Sequence, residues 1–289
     1  MESKRSDIKV GSGYLRYNED GYDTIDFTSP LAHANYVEQV KDIDSYKIAR
    51  EIEESEYFYG AKDIHSIINK VKNGDDKATA TLLDGLKQTN GEGECITGVS
   101  MDIEGVAYDM GSVVSGEPEC CVSMESPSTK QHIEIVVDLG YGGGESATTI
   151  DYRSVGIVNL VSTLQAQGYM IDLYIMSVYP SNKCMHRVKI NTDTFCVAQL
   201  ASCTTTEYWR GLGWITVEIM RNKKGDGGCD GSKLSEEKIK QYKDKGVFYI
   251  GGGYTDRKMC NLKSGKKATD YIIELFNKFC NSKNKKIAI

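Results

Sequence analysis

One stretch, His132 to Val178, constrains the fold of this chain more than any other. Ile133-Glu134-Ile135-Val136-Val137 is a β-branched run too short for a helix, and it stops at Asp138, where Gly140, Gly142, Gly143 and Gly144 break regular structure. That is a buried strand emptying into a loop. From about Ile150 the period changes: Val155, Val158, Val161 and Leu164 share one helical face, with Ile157 and Leu160 beside it, and Gly168 stands where a C-cap belongs. Met170 to Met176 then returns as a second apolar strand. The pattern predicts a βαβ unit with parallel strands and a right-handed crossover. Ligands of such sheets bind outside the carboxyl ends of the strands, so the loop from Asp138 to Ser146 is the expected place of function.

A chain of 289 residues that is 40% hydrophobic buries a full core as one large domain or two small ones. Its net charge of −6 and isoelectric point of about 5.4 exclude general affinity for nucleic acid, which needs a basic face to neutralise phosphates. The basic end at 281–289, with Lys283, Lys285 and Lys286, reads as a solvated tail. The nine cysteines are odd in number and contain no Cys-x-x-Cys pair, which speaks against a disulfide framework or a zinc ribbon and for a reducing compartment. Met1 is followed by charged residues without an apolar h-region, and no stretch approaches the length of a membrane span. The expectation is a soluble protein that is neither secreted by a standard signal nor embedded in a membrane.

Taken in order, residues 1–30 are polar and rich in Gly, Tyr and Asp, and read as an irregular arm. Residues 31–94 read as a helical region: Val37, Val40, Ile43, Ile48 and Ile52 follow a rough three-to-four spacing. Ile64, Ile67, Ile68 and Val71 repeat it before Asn73-Gly74, and a third helix fits Asp76 to Lys87. His33 and His65 are expected at the surface or partly buried rather than as ligands. Val99 to Ile103 and Cys120 to Val122 are candidate antiparallel strands on the edge of the main sheet. Beyond the βαβ unit come a short strand at Val188–Ile190 and helices at Thr194–Leu200, Thr206–Met220 and Lys233–Lys243. A buried strand at Val247–Ile250 and a closing helix at Asp270–Phe279 complete the pattern. Alternating strands and helices call for an α/β three-layer domain with a mainly parallel sheet over 95–280, behind the helical region.

The segment Asp138-Leu-Gly-Tyr-Gly-Gly-Gly-Glu-Ser146 invites comparison with a phosphate cradle, because glycines let backbone N–H groups converge on an anion at a helix N-terminus. It lacks the Gly-Lys-Ser/Thr ending of a P-loop, and Glu145 stands where Gly-x-Gly-x-x-Gly requires its third glycine. For nucleophilic chemistry, Cys184 and His186 lie two apart on one strand face, and Cys120-Cys121 precedes His132, but no third orienting group is evident. Trp209 and Trp214 sit at helical spacing as core or rim aromatics.

Three segments carry a resemblance to a known family. They are Met101-Asp-Ile-Glu-Gly105 with Asp109 to Pro118, the run Ser154-Val-Gly-Ile-Val-Asn-Leu-Val-Ser-Thr-Leu-Gln-Ala-Gln-Gly168 through Tyr174, and Tyr208-Trp-Arg-Gly-Leu-Gly-Trp through Glu218. Together they resemble a family of tailed-bacteriophage proteins with no assigned activity, similar to a degenerate von Willebrand factor A domain. Ala201-Ser202-Cys203 departs from that family, which often carries a histidine and a proline there. The resemblance implies a viral source, a host-cytoplasmic location and a protein-interaction role without catalysis. Its A-type motif, Asp-x-Ser-x-Ser, falls on Asp138, Gly140 and Gly142, so both serines are missing. A magnesium or manganese ion would then have to recruit Ser146, Glu145, Thr194 or Asp256 beside Asp138. Some A-type domains work beside AAA+ ATPases of the MoxR type, which supplies a partner class by analogy.

Two rival readings remain. Val137 to Gly142 also resembles the first phosphate loop of actin-like ATPases, which would make the chain a nucleotide-binding or hydrolysing enzyme; that superfamily enters a hairpin at this point, whereas a helix follows here. The alternative is a virion-associated structural protein that uses residues 1–30 as an assembly handle.

Overall fold

The computed structural model describes residues 5–54, 61–90, 100–102, 107–108, 121–123, 132–140, 145–179, 183–192, 197–221, 234–252 and 256–282. Where an irregular arm is expected, the chain forms a β-meander. Strands β1 (Arg5–Gly11), β2 (Tyr14–Glu19) and β3 (Tyr22–Phe27) pair antiparallel in sequence. Asp20 and Gly21 form the turn between β2 and β3 with φ of 53° and 84°, the doubly positive geometry that matches strand twist. The strands look polar because their buried polar groups are paired: Tyr17 Oη donates to Asp26 Oδ2 at 2.7 Å, and Arg187 Nε donates to Asp26 Oδ1 at 2.6 Å.

The helical region follows. Helix α1 (Pro30–Glu38) starts with proline in its first turn and Ser29 Oγ accepting from Ala32 N at 3.1 Å. Helices α2 (Lys47–Glu54), α3 (Ile64–Asn73) and α4 (Asp76–Asn90) come next, and Asp63 and Ser66 close a reciprocal capping box on α3. Val37, Ile48, Ile52, Ile64, Ile67, Leu82 and Leu86 belong to the same continuous core as Ile133, Leu173 and Ile215. The region is therefore packed into the body of the α/β domain. Strands β4 (Ser100–Asp102), β5 (Ala107–Tyr108) and β6 (Cys121–Ser123) are antiparallel, as expected, but make a separate small sheet in the order β4-β6-β5.

The expected βαβ unit is present: β7 (His132–Asp138), α5 (Ala147–Ala166) and β8 (Met170–Tyr179), with β7 and β8 parallel from His132↔Met170 to Asp138↔Met176. Gly168, at φ 84°, ends α5: its N–H reaches Gln165 O at 2.8 Å and Tyr169 N–H reaches Leu164 O at 3.0 Å, a Schellman pair. Strand β9 (Cys184–Ile190) pairs antiparallel with β8, because the short connection at 180–183 cannot make a crossover. Helix α6 (Val197–Cys203), a π-helical turn (Tyr208–Gly213), α7 (Trp214–Arg221), α8 (Glu236–Asp244), β10 (Phe248–Ile250) and α9 (Gly265–Ser282) complete the chain.

The main sheet has seven strands in the order β1-β2-β3-β9-β8-β7-β10. It is mixed, which corrects the expectation of a mainly parallel sheet: β3–β9, β7–β8 and β7–β10 are parallel, while β1–β2, β2–β3 and β8–β9 are antiparallel. Ile135, Val137, Leu173 and Ile175 enter the large core with residues of α5 and α9, while Val136, Met176 and Met185 join a separate cluster with Tyr242 of α8. Gly156 lets α5 approach α9 closely, and Asn159 Nδ2 donates to Thr269 Oγ1 across that contact at 2.9 Å.

Candidate functional site

Strand β7 has β8 on one side and β10 on the other, so the chain leaves its carboxyl end in one direction and later returns on the opposite flank. Such a switch point opens a crevice in α/β sheets. Here the crevice is occupied from within. A Cβ on Gly252 would lie 2.5 Å from Gly140 O and 3.0 Å from Gly140 N, so the turns after β7 and β10 are in backbone contact that only glycine allows. Arg153, reaching up from α5 and 1% exposed, donates through Nη2 to Asp138 O at 2.7 Å, Gly251 O at 2.7 Å and Ile250 O at 3.3 Å. Carbonyls converging at the ends of parallel strands build negative potential, and the guanidinium neutralises it.

Asp138 stands at this point with 1% exposure. Its Oδ1 accepts from Gly140 N at 2.9 Å and its Oδ2 from Tyr249 Oη at 2.7 Å. Burial pushes its pKa above the usual carboxylate value, against the opposing pull of Tyr249, Gly140, Arg153 and Gly252. Ser146 is the N-cap of α5, its Oγ accepting from Thr149 N at 3.3 Å. Asp256 accepts from Tyr271 Oη at 2.7 Å and from Lys258 N at 3.1 Å. Glu145 bonds Cys260, whose thiol is pushed up to about 12, first by burial and then by that carboxylate. Gly142, Gly143, Gly144 and Thr194 lie outside the described residues. Asp138, Ser146 and Asp256 thus each serve hydrogen bonds within the protein. Among the described residues, no group of three or more His, Cys, Asp or Glu side chains is placed to hold a metal ion.

Beside the plugged crevice lies a small cleft, partly open to solvent, with room for about one water molecule. Gly140, Ser177, Thr206, Trp209, Arg210 and Trp214 line it. Trp209 and Arg210 belong to the π-helical turn, a widened backbone form frequent at functional sites. The Arg210 guanidinium lies 6.0 Å from the centroid of the Trp214 ring. Among the described residues, Trp209 Nε1 and Thr206 Oγ1 are buried and have no hydrogen-bond partner.

Behind the cleft, the His186 ring stacks between Tyr179 at 5.8 Å and Trp209 at 5.5 Å, 5.4 Å from the ring of His33. His33, expected at the surface or partly buried, is fully buried: Nδ1 pairs with Tyr208 Oη and Nε2 with Thr216 Oγ1, both at 2.7 Å. Those two bonds offset the cost of burying the imidazole. His65, in contrast, is exposed beside Asp44. Burial lowers the pKa of His33 and takes that of His186 down to about 3, so both rings are neutral at physiological pH. Cys184 and His186 share a strand face, as their spacing requires. The Cys184 thiol is pushed up to about 11 by burial, and among the described residues neither ring nitrogen of His186 has a hydrogen-bond partner, so the pair lacks the geometry of a nucleophile and its base.

Residue spacing led to Asp138 and its loop but not to Arg153, Tyr249, Thr206 or Arg210. A lone arginine in the apolar helix at 147–166 was the available signal for Arg153, and two tryptophans within six residues for the cleft. The fold and the site define an α/β protein with a mixed sheet and a self-sealed switch point. Residues 23–276 match the family described as a domain of unknown function (DUF7192), and the chain belongs to that family. Comparison with curated proteins and with solved structures brings no match.

Proposed function

We propose that this chain is a phage-encoded protein-interaction module without catalysis of its own, acting in the host cytoplasm through the loops at the carboxyl ends of β7, β8 and β10. In this reading its α/β domain is a three-layer, degenerate von Willebrand A-like domain. The observation that carries the proposal is the state of Asp138. In an A-type domain the aspartate after the first strand offers its oxygens to a divalent cation. Here Gly140 N–H and the Tyr249 hydroxyl hold both oxygens, and the carboxylate is buried. A loop sealed in this way recognises a partner by shape and hydrogen bonding rather than through an ion. An AAA+ ATPase of the MoxR type is the partner class, by analogy of fold alone.

The test is affinity capture from phage-infected cells with tagged full-length protein. It is repeated with Arg257→Glu/Lys258→Glu, exposed positions just after β10, and with Lys245→Glu before that strand. A stable partner lost in the double variant and kept in Lys245→Glu is the expected result. Capture of no stable partner counts heavily against the proposal. Calorimetric binding of ATP with magnesium would replace it by the nucleotide-enzyme reading, and binding of magnesium or manganese alone by a working metal site.

A further inference from the structure

We infer that the pocket where α4 meets α5 and the end of α6 is a site for one monovalent cation, an alkali metal ion or ammonium. The pocket has room for about one water molecule, and Thr81, Asp151, Ser154, Thr204 and Thr205 bring side-chain oxygens to its wall. The hydroxyls there have already used their protons. Thr81 Oγ1 donates to Lys77 O at 2.9 Å and Ser154 Oγ to Ile150 O at 3.0 Å. Thr204 Oγ1 donates to Leu200 O at 3.0 Å and Thr205 Oγ1 to Ser202 O at 3.3 Å. A carbonyl oxygen can only accept, so the direction of each bond is fixed and each hydroxyl keeps lone pairs alone. Thr205 gives one of its two to Tyr208 N–H at 3.2 Å. The ionised Asp151 carboxylate also only accepts, and among the described residues it has no hydrogen bond or ion pair. Lys77, one turn before Thr81 on α4, acts on it across space. Among the described residues of the wall, no Lys, Arg, His or amide side chain brings a proton to these oxygens.

Acceptors around a space of one water call for a compact positive charge, and hard cations take oxygen ligands. One carboxylate among neutral hydroxyls balances a single charge. Calcium sites gather more ligands than this wall offers, and magnesium keeps several of its own waters, for which the pocket has no room. Ser154 and Thr204 are 4% and 3% exposed, so at that depth the ion is held by the protein rather than by bulk water. The site joins α4, in the helical region at 31–94, to α5 and α6 of the α/β domain, so an ion there fastens one to the other. It uses other residues than the Asp138 loop and does not rest on the interaction-module reading.

The test is thermal unfolding of the full-length protein in sodium, potassium and ammonium chloride, against tetramethylammonium chloride at matched ionic strength. Tetramethylammonium is too large for a space of one water. A saturable rise in Tm with at least one of the three small cations is expected, about 3 °C above the tetramethylammonium value at tenfold the Kd. The affinity read from that dependence should fall about tenfold or more in Asp151→Asn, which keeps the shape and removes the charge, and about threefold or more in Thr204→Val. Asp270→Asn, at an exposed position of α9, should leave it unchanged. Should Asp151→Asn fail to fold by circular dichroism, Thr81→Val joins Thr204→Val in its place. Equal Tm in all four salts, or a rise that these pocket variants leave intact, overturns the inference and leaves the pocket to water. A rise given by magnesium or calcium at lower concentration and lost in Asp151→Asn overturns the choice of a monovalent ion. A response that appears only in Lys77→Met overturns it as well, because the chain's own ammonium group then fills the pocket.

Discussion

Nη2 of Arg153 lies 2.7 Å from the carbonyl oxygen of Asp138, tying the helix that follows β7 back onto the end of that strand. The same nitrogen reaches the last residues of β10 and the turn after it, so one side chain joins the two strands that flank the switch point. Arg153→Met removes the donor and leaves two or three buried carbonyls without it. At about 1–3 kcal/mol for each unsatisfied group, the expected loss is on the order of 3 kcal/mol in urea unfolding. Arg153→Lys, which keeps the charge and one or two bonds, should lose less. An Arg153→Met variant as stable as the parent would remove the guanidinium from this role.

The hydroxyl of Tyr249 holds Asp138 Oδ2, and Tyr249→Phe should cost about 1–3 kcal/mol, the range for leaving a buried polar group unsatisfied. The cost depends on pH in a definite direction. The native pKa of Asp138 is raised, so its contribution to stability is present in full below the unfolded value and is lost as pH rises through the native value. Deleting the donor raises the native pKa further. Denaturation midpoints at pH 4.5 and pH 7.5 should therefore show a larger gap between parent and variant at the higher pH. An equal gap would mean that Asp138 keeps its charge state across the range.

His186 titrates in the opposite sense. Its native pKa of about 3 lies below the unfolded 6.5, so the unfolded chain binds more protons between those values and stability falls as pH drops below about 6.5. One such histidine contributes a slope of up to about 1.4 kcal/mol per pH unit. His186→Phe keeps an aromatic ring in the stack with Tyr179 and Trp209 and breaks no hydrogen bond, so it should flatten the acid limb and leave stability at pH 8 nearly unchanged. His33 should supply part of the slope that remains.

Gly156 is a contact rather than a hinge. A Cβ there would lie 2.8 Å from Ile272 Cδ1 and 2.9 Å and 3.0 Å from the carbonyl carbon and oxygen of Ala268. The isoleucine tip can turn away; the backbone of α9 cannot. Gly156→Ala gains about 1 kcal/mol of helix propensity, yet overpacking against α9 should cost about 1–3 kcal/mol, giving a net lower Tm. A raised Tm would show that α5 and α9 separate freely.

Much of the architecture can be read from short runs of residues. The strand ending at Asp138, the helix ending at Gly168, the second strand from Met170 and the buried strand near Phe248 follow from β-branching, helical periodicity and a glycine at positive φ. These signals span at most a few turns, and nearest-neighbour sterics and a local apolar face are enough to write them. Even the Asp20-Gly21 hairpin carries its local mark, although the strands beside it hide it behind polar side chains. What local sequence cannot express is the partner of a buried polar group. Asp26 lies in a stretch that reads as a polar arm until Arg187, 161 residues away, pairs with it, and His33 reads as a surface or partly buried residue until Tyr208 and Thr216 arrive from far along the chain. Strand direction, the seal of Arg153 over the switch point and the unpaired donors of Trp209 and Thr206 were likewise decided only in the tertiary structure. Desolvation and hydrogen bonding depend on what is packed nearby in space, and sequence distance does not reveal that.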